Sequence, residues 1–185
     1  MAGHVLMAVE EGCPFGDVAL TKTADFNGAL SRTSCREGDD EAVRIALGGI
    51  VAVRLCRSRW YWQLFAGAHS DLGIVAGFFR ETGDAEWGVE LNVEATVAVV
   101  SVGWGTVEEL AGVLMRHRRL PQEMAREIVT KGPPPRRPPT SLEDADWKPL
   151  VEHIHWRIRS PREGTRRSVL LPEGISASTR HNPSE

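Results

Sequence analysis

Residues 132–139 read Gly-Pro-Pro-Pro-Arg-Arg-Pro-Pro, and no other feature constrains the fold as strongly. Proline fixes φ and lacks a backbone donor, so five prolines in eight residues exclude a helix interior and a central strand. The run predicts a stiff linker over 132–140. Ahead of it, residues 1–131 are patterned and apolar and predict one globular domain. Beyond it, 141–159 predict a docking strand or arm, and 160–185, rich in Ser, Arg, Pro and Gly, predict a disordered tail.

Charge divides at the same place. Up to Lys131 there are 13 Lys and Arg against 18 Asp and Glu, whereas 132–185 carry 9 against 7. An acidic body lacks the basic footprint of a nucleic-acid binder, so nucleic acid is not expected as a partner. The basic residues are 19 Arg and 3 Lys in an Ala-, Gly- and Val-rich chain, the bias of a GC-rich coding sequence. No run approaches the roughly 18 apolar residues of a bilayer span, and Met1–Glu11 lacks the basic start of a secretory signal. A cytoplasmic protein without membrane contact is expected. Cys13, Cys35 and Cys56 are odd in number and share no C-x-x-C spacing, which predicts neither a disulfide framework nor a zinc knuckle.

Within the body, His4–Val9 reads as a strand and Gly12–Gly16 as a turn. Asp39-Asp40-Glu41 suits the positive end of a helix that Gly48-Gly49 would end. From Ile50 to Val102 the pattern changes to β-branched and alternating segments at 50–56, 60–66, 72–79, 86–92 and 95–102, joined by short turns. Parallel pairing needs long crossovers, so these predict an antiparallel meander. Thr106 to Glu109 reads as a capping box opening a helix with Val107, Leu110, Ala111 and Leu114 on one stripe. A second helix begins at Leu120-Pro121 and closes at Lys131-Gly132. The fold class expected is α+β: a meander packed by two to three helices, followed by the Pro-rich linker and a largely irregular arm.

No motif names a reaction. Cys13 lies in a Gly-flanked turn and His69 precedes Asp71 by two residues, so these three form the candidate set for a cysteine-dependent hydrolase or transferase. Trp60, Trp62 and Leu64 share a strand face and read as core, leaving Tyr61 and Phe65 outward as interface candidates. His153, His155, Arg157 and Arg159 alternate with Ile154, Trp156 and Ile158, which reads as a cationic edge that meets a partner; two histidines alone do not make a metal centre. Gly103 to Thr106 lacks the phosphate-loop signatures, and Glu108 and Glu109 would repel a phosphate. No cofactor or metal is expected. The function expected is protein–protein contact, as an inhibitor or immunity-type protein, with the cysteine enzyme and a virion or assembly component carrying a C-terminal arm as alternatives.

Overall fold

The segment Ile45–Leu55 contains almost no polar residue, and such a run suits a buried strand or a helix enclosed on all sides. In the computed structural model it is the second: helix α2 spans Asp40–Cys56, its residues from Ile45 to Leu55 buried except for Val53. The structure describes residues 1–20, 29–30, 40–56, 61–142 and 145–160. It is mostly helical, with α1 (Ala2–Glu10), α3 (Tyr61–Gly67), α4 (His69–Thr82), α5 (Ala85–Val102), α6 (Trp104–His117), α7 (Gln122–Lys131) and α8 (Lys148–Arg159) around α2. A small antiparallel sheet, ordered β2-β1-β3, joins Val18–Ala19 (β1) to Ala29–Leu30 (β2) and Arg119–Leu120 (β3).

The expected meander is therefore corrected to helices. Residues 50–56 continue α2, and 61–66, 72–79, 86–92 and 95–102 belong to α3, α4 and α5. In α4 the buried positions are Leu72, Val75, Ala76 and Phe79, a spacing of three and four that only a helix satisfies. In α5, Val89, Val93, Thr96, Val97 and Val100 are buried, and their β-branched chains are accommodated because packing outweighs a weak local preference. The strand expected at His4–Val9 is likewise α1. The helical pair after Gly103 matches the sequence reading, but the capping box does not form: α6 begins at Trp104, and Thr106 is a buried residue inside it.

Gly48 and Gly49 do not end a helix; they are its contact surface. A Cβ on Gly3 would lie 2.1 Å from the Gly48 carbonyl oxygen, and one on Gly49 would lie 2.0 Å from the His4 ring. Helices α1 and α2 thus meet backbone to backbone, which residues with side chains would prevent. Arg44 of α2 locks the far end of this pair through a two-pronged ion pair with Glu11, at 2.7 and 2.8 Å, while reaching Asn92 of α5.

Beyond α7, residues 132–139 form neither helix nor strand. They lie against α6, where Arg136 pairs with Glu108 at 3.0 Å and the Pro134 carbonyl approaches Gly105. The Thr140 amide then donates to the Leu55 carbonyl of α2. The docking strand expected in 141–159 is corrected to helix α8, which packs on α4 and α5 with Leu150 and Ile154 fully buried. The tail expected to be disordered falls, from residue 161 onward, outside the described residues. Among the described residues no single helix is long and apolar enough to cross a membrane.

Candidate functional site

The tight contact of α1 with α2 delivers a polar pair. His4 Nε2 donates to Asp71 Oδ2 at 3.2 Å, joining the first turn of α1 to the first turn of α4 across 67 residues of sequence. The two side chains are only 16% and 24% exposed. Gly49 lies directly beneath the imidazole, so the ring occupies space that a side chain on α2 would fill. The other ring nitrogen, Nδ1, is buried without a hydrogen-bond partner among the described residues. Burial lowers the pKa of the Met1 amino group, while the nearby Asp71 charge acts in the opposite direction.

Chemically, the pair has two capacities. A carboxylate on one imidazole nitrogen fixes the tautomer and orients the ring, the arrangement by which histidine is held for proton transfer. The donor separation also suits two ligands of one tetrahedral zinc, for which bonds of about 2.0–2.1 Å imply a spacing of about 3.3 Å. Among the described residues no group of three or more His, Cys, Asp or Glu converges on such a point.

The triad expected from the sequence does not assemble. Cys13 is 7% exposed and disulfide-bonded, so it has no thiol to attack a substrate, and the expectation of no disulfide is corrected with it. It also lies beyond the C-terminal end of α1, a nine-residue helix about 13 Å long, whereas Asp71 meets the N-terminal turn. The imidazole beside Asp71 belongs to His4, not His69. His69 instead meets Arg157, whose guanidinium lies 3.2 Å from Nδ1 and donates to the His69 carbonyl at 3.3 Å.

Most residues expected to meet a partner are engaged within the chain. The Phe65 ring stacks on His153, with centroids 4.0 Å apart, and His153 also stacks on Trp156. His155 approaches Glu90 of α5 at 4.0 Å. Arg80 of α4 donates to the carbonyls of Arg157 and Ile158, capping the C-terminal turn of α8. A helix also divides the cationic stripe that a strand would have kept together: His153 and Arg157 face α3 and α4, while Arg159 is exposed. Tyr61 lies in α3, with its side chain outside the described residues.

The α8 seam carries a pH dependence. Burial holds the His153 imidazole below its ordinary value of 6.5, and the Arg157 guanidinium pushes the same way. The unfolded chain therefore binds this proton first, so the contribution of His153 is complete above pH 6.5 and declines as the pH falls below it. The urea midpoint is expected to fall between about pH 7.5 and about pH 5.5, with His153→Phe, which keeps the stack, falling less. His69, His155, Glu90 and Arg157 face the same seam, and an equal fall in both proteins would show that His153 does not carry the effect.

The sequence pattern does not point to His4, whose segment reads as a strand, nor does it gather the outer face of α5. There Trp87, Leu91 and Val102 are 74%, 62% and 82% exposed, and the signal was their spacing of four and eleven residues. No family model matches the chain, and no curated protein matches it.

Proposed function

We propose that the reactive centre of this protein is the His4–Asp71 pair and that its chemistry belongs to the hydrolytic, acid–base class. The observation that carries the reading is the His4 Nε2 to Asp71 Oδ2 contact, built inside an apolar helical core on a bed of glycines. A polar pair in such a place adds little net stability, and the glycines that admit it forgo about 1 kcal/mol each of helix propensity. In this reading Asp71 orients the ring through Nε2, and Nδ1, buried without a partner among the described residues, is the nitrogen that accepts and returns a proton. The test is hydrolysis of a fluorogenic peptide and a nitrophenyl ester by the full chain, with and without added zinc. Both His4→Gln and Asp71→Asn are expected to lower turnover by at least about 100-fold at unchanged helical content. Absent turnover in the native chain under every condition, or variants that keep it, would overturn the reading.

A second reading, a protein that acts by binding another protein in the manner of an inhibitor or immunity protein, is favoured by the exposed apolar face of α5. A photo-crosslinking residue at position 98 is expected to yield one discrete adduct that re-forms with the purified partner and disappears with Leu91→Asp. Failure to form it counts against this reading alone.

A further inference from the structure

We infer that the outer face of α5 is the docking surface for a cationic amphipathic helix of a partner protein. This rests on the partner-binding reading and adds the partner's chemistry. Trp87, Leu91, Ala95, Ala98 and Val102 are all exposed, and at 100° per residue they fall within an arc of about 80°. The stripe runs about 22 Å, the length of four turns. Apolar residues gathered on one exposed helix face mark an interface, whereas singly scattered ones do not.

Charge selects the occupant. Helix α5 contains Glu86, Glu90 and Glu94 and no Lys or Arg. The exposed Glu94 and the half-buried Glu90, which also approaches His155 of α8, fall along one border of the stripe, at about 20° and 60° from Trp87 on the side away from Leu91. A second copy of this chain, laid antiparallel, would centre near position 94 and bring Glu94 against Glu94, a like-charge contact in a desolvated place. A bilayer with anionic headgroups would meet the same border with the same sign. A helix carrying its own apolar stripe bordered by Lys or Arg satisfies both features at once, in the helix-in-groove manner with anchors at intervals of three and four residues.

The test uses the full chain and a labelled synthetic 18-residue peptide, with a Leu/Ala stripe at helical spacing bordered by Lys, beside a twin bordered by Glu. By fluorescence anisotropy the Lys peptide is expected to bind at least about tenfold more tightly than its twin, and Leu91→Asp to weaken it by about tenfold or more. The double change Glu90→Lys with Glu94→Lys should invert the preference. Equal binding of both peptides, lost with Leu91→Asp, would overturn the cationic partner while leaving the partner-binding reading intact. Failure of both peptides to bind would overturn the inference, and joined to a missing adduct at position 98 it removes the partner-binding reading as well. Sedimentation showing a dimer that Leu91→Asp dissolves would assign the face to a second copy. Flotation with phosphatidylcholine–phosphatidylglycerol vesicles, abolished by the same change, would assign it to a bilayer.

Discussion

Gly3→Ala is expected to destabilise the protein by about 3 kcal/mol, although alanine is the better helix former. The new methyl group would lie 2.1 Å from the Gly48 carbonyl oxygen and 2.7 Å from the Ala52 Cβ. Neither neighbour is the end of a flexible side chain, so α1 must move away from α2 as a body. That movement disturbs Val5, Leu6 and Met7, each 2% exposed or less, and draws His4 from Asp71. Helix propensity returns at most about 1 kcal/mol, so the clash decides the sign. The same substitution at Gly73, in the interior of α4 with nothing within 4 Å, is the contrast. There propensity acts alone, and a gain of about 0.5–1 kcal/mol is expected. Urea titrations of the two variants should shift in opposite directions. A neutral Gly3→Ala would show that α1 and α2 do not meet backbone to backbone.

Shortening either anchor of α8 is the second large effect. Leu150 and Ile154 are both fully buried, and each change to alanine should cost about 2–5 kcal/mol, the lost transfer energy plus that of the space left behind. The remaining ties between α8 and the body are weaker. The Arg157–His69 contact is exposed, and the Arg80 capping bonds are only partly buried. The double variant is therefore expected to release α8 from α4 and α5, which a protease would report as early cleavage within 145–160. If α8 were a separate appendage, both variants would leave the urea midpoint of the body unchanged. Cleavage near position 135 bears on the same point, since removing Leu150 and Ile154 uncovers α4 and α5.

How much was legible depended on periodicity. Around Leu110 and Leu114 one helix face is apolar and the other polar, and the sequence reading located α6 and α7 correctly. Along Ile45–Leu55 the helix is enclosed on all sides, so the chain lacks the alternation by which a helix differs from a buried strand. Leu72, Val75, Ala76 and Phe79 did carry the helical period, masked by β-branched and aromatic neighbours that favour strands. The glycine pair at 48–49 reads as a helix end, which is what such a pair means when nothing approaches it. The proposed pair is half legible. Asp71 stands out in the sequence, but its imidazole comes from 67 residues earlier, in a segment whose pattern suits a strand.

By itself the sequence determined the end of α7 at Lys131-Gly132, the net acidity of what precedes it, and the amphipathic helices around Leu114 and Ala125, because proline geometry, charge and one-sided apolar patterning are local properties. Tertiary structure decided that the apolar middle is helical, that Gly48 and Gly49 are a contact surface, and that Asp71 faces His4. These depend on which elements meet, and the hydrophobic effect that brings them together is non-directional; only the close fit of α1 on α2 selects the pairing.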